Sequence, residues 1–409
     1  MMRILHVAPC YAPSWAYGGP VHALTGLAQE QVRAGHDVHV FTTDGFMNPA
    51  DTNVWESQGV VVHRFAVVSQ RLARGARLFV APGFHRFISS VVRRADIVHI
   101  HEHRTLQAAA AASAARRAGI PYVLSTHGSL PLIAQRALQK KVFDRMAGNR
   151  VIDGAAAFVA VSSMEHGQLL TRGIGDSRIR VIPNGLDEDF LQPLPDPGTF
   201  RSQHHLEGAE LILFLGRLHA QKGLDALIEA FASIARARDR AALVIAGPDD
   251  GYGEHLRRTV HNLGPRSRVK LVGPLYGHSK TQAYVDADLV AYPSPYEIFG
   301  LVPLEAIACG TPAVVCAGTA SADIVDRLGG GVAVPPGDAK SLSEACVSIL
   351  DDPNMTRRLR LRRQDVMEHY SWTTIAAEMQ GVYASCVSRL ALRFGMSADA
   401  PSQRPRAVM

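Results

Sequence analysis

The chain of 409 residues is long for one hydrophobic core, so two domains of roughly 150 to 200 residues each are expected. Hydrophobic residues make up 47% of it and charged residues 20%, which excludes a disordered protein except in the tail from about Ser397. The net charge of +6 favours anionic partners, but the arginines are spread out without interleaved aromatic residues, so nucleic acid is not an expected partner.

The beginning of the chain and its cysteines indicate where the protein works. The stretch MMRILHVAP is too short for a secretory signal, and no apolar run reaches the length of a membrane-spanning helix. The five cysteines are scattered among apolar residues, which indicates reduced thiols in a core rather than disulfides or a metal site. A cytoplasmic protein, at most peripheral to a membrane, is therefore predicted.

The first half of the chain alternates short apolar runs with amphipathic stretches. The predicted strands are RILHVAP, HDVHVFTT, VVVHRFAV, ADIVHIHE, PYVLSTHG and AAFVAVSS. Predicted helices between them include VHALTGLAQEQVRAGH and LQAAAAASAARRAG, which Gly119 closes. Repeats of strand, helix and strand predict a parallel, doubly wound sheet.

The pattern stops at the Pro-rich segment LDEDFLQPLPDPGTFRSQHH, an expected linker, and then resumes. The second set of predicted strands is ELILFLGRL, AALVIAGP, VKLVGP, ADLVAYPS and TPAVVCAG. The chain is thus predicted to be an α/β protein with two Rossmann-like, doubly wound parallel-sheet domains facing a cleft, residues 1–188 and 189–370. Ligands of such sheets bind outside the carboxyl ends of the strands.

The stretch PSPYEIFGLVPLEA (293–306) places Glu297 before a predicted helix and Glu305 inside it. The amides at the start of this helix would suit a diphosphate. Four residues surround them: Phe299, Gly300, Leu301 and Val302. Glu305 could accept hydrogen bonds from ribose hydroxyls, and Glu297 could reach hydroxyls beyond the phosphates. Alone, two such glutamates are more often capping or helix-dipole carboxylates.

A second element, LGRLHAQKGL, carries two cations where a strand ends and the next helix starts. Arg217 follows the strand and Lys222 comes just before the helix. Arginine binds a diphosphate through two hydrogen bonds, and lysine acts as a point charge. A solvated surface pair is the simpler interpretation, but it does not explain why both cations lie where this fold binds ligands.

The first half contributes weaker signals. Gly18 and Gly19 form a turn before a helix and would let backbone approach a phosphate or sugar, although the GxGxxG fingerprint is absent after the first strand. His127 and His101 lie near the ends of strands. A lone histidine there is more often a hydrogen-bonded structural residue than a catalytic one.

Taken together, YGGP, the His-Gly at 127, IPNGLD, GRLHAQKG, PSPYEIFGLVPLEAIACGTPAVV and GGGVAVPPGD resemble the retaining glycosyltransferases of family 4, or group 1, which have the GT-B fold. The resemblance runs from the first strand to about Tyr383. Its most specific part is a glutamate followed, after seven residues, by a second glutamate, met here by Glu297 and Glu305.

The resemblance assigns the first domain to the acceptor and the second to the nucleotide-sugar donor. It implies that Glu305 binds the ribose, that Glu297 and the amides of 299–302 hold the sugar and phosphates, and that Arg217 and Lys222 neutralise the leaving diphosphate. The catalytic residues would be His127, Glu297, Arg217 and Lys222. The donor-binding residues would be Glu305, Gly18, Gly19, Phe299, Gly300, Leu301, Val302 and Leu275, the last in the loop 274–276 that shapes the pocket.

The resemblance also implies a reaction without a cofactor or a metal, because cations and a helix dipole take the metal's place. The expected activity is a retaining hexosyl transfer to a saccharide or polyprenyl-linked acceptor, by front-face attack, in surface polysaccharide biosynthesis. Residues 371–390 resemble the family's carboxyl-terminal helix, which returns to the first domain with Trp372 as its anchor, and 391–409 would be a flexible tail.

Other classes of protein remain open. A sugar-nucleotide epimerase of the same fold would need no second sugar, and a catalytically silent nucleotide-sugar binding protein would keep the fold alone. A nicotinamide-dependent oxidoreductase should show a glycine fingerprint, which neither half has. The cationic stretches RLARGAR, HRFISSVVRR and QRALQKKVFDRMAGNR could contact an anionic membrane, although such runs are usually solvated faces.

Overall fold

The computed structural model describes residues 1–47, 58–131, 137–187, 190, 193–264, 267–352 and 354–393. The chain forms two compact units. The first contains Met1–Pro183 and the segment that begins at Trp372, and the second contains Asn184–Ser371. The predicted division after residue 188 falls a few residues beyond this one, and most of the predicted tail, from 394, lies outside the described residues.

The first unit is built on a parallel sheet. Its strands are Arg3–Val7 (β1), Asp37–Thr43 (β2), Val61–Phe65 (β3), Ile97–His101 (β4), Tyr122–Ser125 (β5), Ala157–Ala160 (β6) and Ile179–Val181 (β7), in the order β3-β2-β1-β4-β5-β6-β7. The helices are Gly19–Arg33 (α1), Gln70–Ala76 (α2), Pro82–Val91 (α3), Leu106–Ala118 (α4), Ala137–Phe143 (α5), Asn149–Asp153 (α6) and Ser163–Thr171 (α7). All six strands predicted for this half are confirmed, and β7 is an addition.

The second unit repeats this plan. Its strands are Glu210–Leu215 (β8), Ala241–Ala246 (β9), Val269–Gly273 (β10), Leu289–Tyr292 (β11), Ala313–Cys316 (β12) and Gly331–Val334 (β13), in the order β10-β9-β8-β11-β12-β13. The helices are Thr199–Gln203 (α8), Leu224–Ala237 (α9), Gly253–Asn262 (α10), Gly277–Asp286 (α11), Leu301–Ala308 (α12), Ala320–Leu328 (α13), Ala339–Leu350 (α14), Met355–Leu361 (α15) and Arg363–His369 (α16). The five predicted strands are confirmed, and β13 is an addition.

The last helix, Trp372–Arg393 (α17), belongs to the first unit and packs against α1. Trp372 is buried, and a Cβ atom at Gly26 of α1 would lie 2.1 Å from Cε2 of its indole. Any side chain at position 26 would therefore displace the tryptophan. Together α1 and α17 cover one face of the first sheet, while α3, α4 and α6 cover the other.

Each sheet has one point where the strand order reverses. In the first unit the chain leaves β1 towards β2 on one side, while β4 is followed by β5 on the other. In the second unit the same reversal separates β8 from β11. Open parallel sheets bind ligands outside the carboxyl ends of the strands at such a point. The loops after β1, β4, β8 and β11 are therefore where a site is expected.

The predicted state of the cysteines agrees with the structure. Cys10, Cys309, Cys316, Cys346 and Cys386 are all buried and free. None of the described helices is both long and apolar enough to cross a membrane.

Candidate active site

The start of α12 has the features of an anion site. The helix begins at Leu301, after the loop that follows β11, and no side chain of the described residues caps this end. The first N–H groups of a helix have no partner within it, so those at Leu301 and Val302 point outward. Gly300 comes just before, and a Cβ atom there would lie 2.7 Å from Oγ of Ser321. Only glycine lets this loop lie so close to α13.

The first glutamate of the motif is held by residues from two strand ends. Nζ of Lys222 forms an ion pair with Oε1 of Glu297 and donates a hydrogen bond to the hydroxyl oxygen of Tyr292 at 3.0 Å. The hydroxyl of Tyr292 in turn donates to the same glutamate oxygen at 2.9 Å. Lys222 ends the short helical turn after β8, and Glu297 lies in the loop after β11. The cluster therefore stands at the reversal point of the second sheet.

The electrostatics of this cluster keep Lys222 charged. Burial alone would lower the pKa of Lys222, but the neighbouring Tyr292 and Glu297 outweigh burial and raise it above its ordinary value. Burial, and next the Glu297 carboxylate, raise the pKa of Tyr292, so the phenol stays protonated. The cluster offers a permanent cation and, at Oε2 of Glu297, a carboxylate oxygen for a hydroxyl group.

The loop that carries Lys222 lies against the loop that carries Glu297. Gly223 has a φ of +69°, and a Cβ atom there would lie 2.1 Å from the backbone oxygen of Pro293. Both the left-handed conformation and the close approach require glycine. The Lys-Gly pair of the sequence motif is thus explained by packing as well as by charge.

Arg217 is placed differently from Lys222. It follows β8 as predicted, but it forms an ion pair with Asp250, which comes after β9, and its side chain is 41% exposed. The structure therefore brings Lys222 and Glu297 together and leaves Arg217 at the rim of the same strand ends, bound to another carboxylate.

Glu305 lies deeper than the sequence indicated. It is buried within α12, where Oε1 accepts a hydrogen bond from Nζ of Lys280 at 2.5 Å and Oε2 accepts one from the hydroxyl of Tyr284 at 2.7 Å. Burial and the Glu305 carboxylate raise the pKa of Tyr284 well above its ordinary value. Each carboxylate oxygen can accept a second hydrogen bond.

The remaining donor-side residues flank this site. The ring of Phe299 lies 6.5 Å from that of Tyr370, centre to centre, and Val302 packs against the core. Leu275, in the loop after β10, is half-buried and packs against the same core.

The first unit places its candidates at the matching edge of its own sheet. Gly18 precedes α1 with a φ of +110°, and Gly19 is the first residue of that helix. His127 follows β5 with a φ of +47°, a left-handed conformation that is uncommon outside glycine. Nε2 of His127 is hydrogen-bonded to Nδ1 of His101 at 2.9 Å. His101 is thus a hydrogen-bonded structural residue, as considered above, and His127 is its partner.

A buried carboxylate holds the turn that carries His127. Oε1 of Glu165 accepts hydrogen bonds from Oγ1 of Thr126 at 2.5 Å and from the backbone N–H of Gly128 at 2.7 Å. Oε2 accepts one from the backbone N–H of Val161 at 2.8 Å. Glu165 therefore binds the residues on both sides of His127 and stabilises the left-handed backbone conformation of His127.

Several of these residues were missed by sequence reasoning: Tyr292, Lys280, Tyr284 and Glu165. Lys280 and Tyr284 are four positions apart on α11, a spacing that puts both on one face. Tyr292 and Glu165 gave no signal of their own, because their partners are distant in sequence.

Among the described residues, one group of side chains in the first unit has the spacing of metal ligands. His6, His99 and His101, on β1 and β4, have ring nitrogens within 4.8 Å of one another. Each of their ring nitrogens is already hydrogen-bonded within the protein. The grouping includes neither Glu297 nor Glu305.

Comparisons with known proteins bear on the family of this chain. The family described as "Glycosyl transferases group 1" matches residues 198–365, and "Glycosyltransferase Family 4" matches residues 17–190. An uncharacterised glycosyltransferase of Methanocaldococcus jannaschii is 30% identical over 391 residues, which cover 93% of this chain and 98% of that protein. A D-inositol 3-phosphate glycosyltransferase of Kineococcus radiotolerans is 28% identical, and the match covers 96% of each chain.

Among solved structures, that of Anabaena HepE in complex with UDP and glucose matches with a TM-score of 0.76 at 21% identity, over 94% of this chain and 100% of that one. This likeness concerns the fold, and the sequence matches establish the family. The chain belongs to the group 1 glycosyltransferases of family 4, and its two parallel-sheet units are those of the GT-B fold.

Proposed function

We propose that this glycosyltransferase moves a hexose from a nucleoside-diphosphate sugar to a hydroxyl group of a saccharide or polyprenyl-linked acceptor. The observation that carries the proposal is the cluster of Lys222, Tyr292 and Glu297 beside the uncapped start of α12. This arrangement combines a buried cation, free backbone donors and a carboxylate. The uridine nucleotide bound to HepE makes UDP-glucose the first donor to test.

The donor would lie across the strand ends of the second unit. The diphosphate would accept hydrogen bonds from the amides of Leu301 and Val302 and from Lys222, with Arg217 recruited from Asp250. The ribose hydroxyls would donate to Glu305, which Lys280 and Tyr284 hold in place. The sugar would reach Glu297 in the loop after β11.

Catalysis would follow from charge. Breaking the bond between the anomeric carbon and the phosphate oxygen leaves negative charge on the diphosphate, and donors that bind this charge more tightly than the intact substrate accelerate the step. Hydrogen bonds to charged groups contribute about 1.5–3 kcal/mol each. The amides and cations named above supply this stabilisation, so the proposed reaction needs no divalent metal.

Retention of configuration is also proposed, by attack of the acceptor hydroxyl on the face that the leaving group vacates. Oε1 of Glu297 is occupied by Lys222 and Tyr292, which suits a carboxylate that orients sugar hydroxyls rather than one that attacks the anomeric carbon. The anomeric configuration of the product, measured by proton NMR, decides the matter, since an inverted product would contradict it.

The first experiment is thermal unfolding in the presence of UDP, GDP, dTDP, ADP or NAD, each with EDTA. A ligand at a hundred times its dissociation constant adds about 2.7 kcal/mol of stability. UDP should stabilise the wild type but neither Lys222→Ala nor Glu305→Ala. Lys340→Ala, which removes an exposed lysine of α14, is the matched control and should respond like the wild type. Stabilisation by NAD alone, or by nothing, would overturn the proposal.

Acceptor class needs a separate assay. We propose a role in surface polysaccharide biosynthesis, for which the acceptor would be a growing saccharide on a polyprenyl carrier. Labelled donor incubated with free and polyprenyl-linked saccharides tests this directly. Transfer to the linked saccharides supports the role, while transfer to free saccharides alone would remove it.

A peripheral membrane contact is proposed from the surface of the first unit. Leu138, Val142 and Met146 recur every four residues along α5 and the following turn, and their exposed fractions are 76%, 51% and 68%. Lys141 and Arg145 are exposed on the same segment. Apolar side chains flanked by cations are typical of helices that lie on anionic lipid.

Flotation with vesicles of phosphatidylcholine, with and without phosphatidylglycerol, tests this contact. The wild type should float with anionic vesicles, and the double variant Leu138→Gln, Val142→Gln should not. Leu361→Gln, which changes an exposed leucine of the second unit, is the matched control. Equal flotation of the double variant and the control would contradict the contact.

A further inference from the structure

A polar chain crosses the otherwise apolar layer between the first sheet and its covering helices α1 and α17. His6 of β1 is paired in register with His99 of β4, and His101 lies on the same side of β4 two residues on. All three histidines are buried. Buried imidazoles are tolerated in an apolar layer when their nitrogens are hydrogen-bonded, and these three are connected to other residues by such bonds.

One arm of the chain runs from α1 to the end of β5. Oε1 of Gln31 is 2.7 Å from Nε2 of His6, and Nδ1 of His6 is 3.1 Å from Nε2 of His101. Nδ1 of His101 is 2.9 Å from Nε2 of His127. Gln31 is thereby connected to the candidate catalytic histidine through two intervening imidazoles.

The direction of every hydrogen bond in this arm follows from the amide of Gln31. Its Oε1 only accepts, so Nε2 of His6 must carry the proton and Nδ1 of His6 must be an acceptor. His101 must then donate from Nε2 and accept at Nδ1. His127 must donate from Nε2, which leaves its own Nδ1 without a proton.

The second arm is compatible with this orientation of the amide. Nε2 of Gln31 donates to the hydroxyl oxygen of Tyr383 at 3.3 Å, and that hydroxyl lies 2.7 Å from Nδ1 of His99. Nε2 of His99 is 2.8 Å from Oγ of Ser125. Tyr383 can therefore donate to His99, and His99 can donate to Ser125, with every donor facing an acceptor.

The proton arrangement requires neutral imidazoles, since a doubly protonated ring has no acceptor. Burial lowers the pKa of His6 to about 4 and that of His127 to about 4. Burial also lowers the pKa values of His99 and His101 well below the ordinary value. At neutral pH these hydrogen bonds therefore allow only two arrangements of the protons in which every bond has one donor and one acceptor. The two arrangements differ in the orientation of the Gln31 amide.

The series of hydrogen-bonded side chains ends at His127, near the surface. His127 is partly exposed, and within the described residues its Nδ1 makes no hydrogen bond. Nδ1 of His127 is therefore the only ring nitrogen of this arm at which a ligand could form a hydrogen bond. A group that donates a hydrogen bond fits it, and a phosphate oxygen, which only accepts, does not.

We propose that Gln31, His6 and His101 are positioning residues that hold His127 as the tautomer protonated at Nε2, so that Nδ1 accepts a hydrogen bond from a hydroxyl group of the transferred sugar. This rests on the proposed function for the identity of the ligand. The tautomer itself is a property of the free protein.

The tautomer is measured by ¹⁵N NMR of the full chain labelled at histidine, with the His127 signals identified by their loss in His127→Asn. In the wild type, Nε2 of His127 should be protonated and Nδ1 should not. In Gln31→Leu the acceptor for His6 is lost. The donors and acceptors along this arm should then exchange roles, which protonates Nδ1 of His127, because a buried N–H without a partner is rarer than a buried acceptor without one. Gln31→Glu, which keeps an acceptor, should retain the wild-type tautomer.

Gln107→Leu is the matched control, since Gln107 is a buried glutamine of α4 that donates to the backbone oxygen of Phe79 and is not part of the chain. Gln31→Leu should lower kcat/KM for the sugar donor about threefold to tenfold and leave the dissociation constant of UDP unchanged. A wild-type His127 protonated at Nδ1, or an unchanged tautomer in Gln31→Leu, would overturn the inference. If UDP binds to no variant and not to the wild type, the proposed function fails, while the NMR result still decides the tautomer.

Discussion

Lys222 and Glu297 stand 75 positions apart in the sequence, yet their charged groups form an ion pair at the carboxyl ends of β8 and β11. The side chains of both are mostly buried, at 15% and 13% exposure. Neither would remain charged at low energetic cost without the other. The pair therefore joins the two sequence motifs into one structural unit, and a diphosphate bound at α12 would add a second anion beside Lys222.

Lys222→Ala should lose both roles of the lysine. Removing a hydrogen bond to a charged group lowers affinity by about 1.5–3 kcal/mol, so the dissociation constant of UDP should rise about tenfold to a hundredfold. Lys222→Arg keeps the charge and should lose less. Isothermal titration with UDP makes the measurement, and an alanine variant that binds UDP as tightly as Lys340→Ala would show that Lys222 serves only Glu297.

The ion pair between Arg217 and Asp250 should compete with the ligand. Both side chains are about two-fifths exposed, at 41% and 42%, so the pair adds at most about 1 kcal/mol to stability. Asp250→Ala should release Arg217 for the diphosphate and tighten UDP binding by up to about fivefold, with unchanged stability. Asp352→Ala breaks a similar exposed pair with Arg358 and should leave UDP binding unchanged. Weaker UDP binding in Asp250→Ala would mean that Asp250 orients Arg217 instead.

The sheets were predictable because long apolar runs alternate with helical patterns. Eleven strands follow such runs, whereas β7 and β13 do not. Strand β7 has three residues, two of them exposed, and β13 begins with a glycine that follows two others. Short edge strands of this kind bury little apolar surface, so their sequences carry a weak signal.

The site was predictable only where a motif is local. Glu297, Glu305 and Lys222 occur in short patterns with glycine and proline around a helix start, and these patterns have a physical meaning that can be read from the chain. The contacts that hold them, through Tyr292, Lys280 and Tyr284, join residues from separate elements. The exposed pairing of Arg217 was not foreseen for the same reason, because Asp250 lies 33 positions further on.

Lys280 should stabilise the buried carboxylate of Glu305. The carboxylate is 5% exposed, and Lys280→Met would leave it buried without its counter-charge, which destabilises the protein by about 3 kcal/mol. Glu305→Gln in the same chain removes the uncompensated charge and should restore much of the loss. Denaturant unfolding of the two single variants and the double variant gives the coupling. If their effects simply add, the two side chains do not depend on each other.

Acid should weaken the first unit through its neutral histidines. The pKa of His6 is about 4 in the folded chain and 6.5 as an ordinary histidine, so below pH 6.5 the unfolded chain binds a proton that the folded chain does not. The stability linked to His6 is complete above pH 6.5 and falls by about 1.4 kcal/mol per pH unit down to about pH 4.

The comparison with His6→Gln isolates this contribution, because other groups titrate in the same window. Burial raises the pKa values of Glu102 and Glu165, and these act in the opposite direction. The unfolding free energy of His6→Gln, measured in urea from pH 7 to pH 5, should fall less steeply than that of the wild type by about 1 kcal/mol per unit. Identical slopes would show that His6 is not the buried neutral group described above.

Glu165 should support activity without touching the substrate. Its two oxygens accept three hydrogen bonds, two of them from the neighbours of His127, and an amide in its place has one oxygen to accept them. Glu165→Gln would set an NH₂ group against backbone or hydroxyl donors and lower the unfolding free energy by about 1–3 kcal/mol. Because the φ of +47° at His127 depends on this support, kcat/KM should fall as well. The affinity for UDP, which we propose to bind to the second unit, should not change. Glu254→Gln, an exposed substitution on α10, controls for the loss of charge, and weakened UDP binding in Glu165→Gln would argue for a general loss of folding instead.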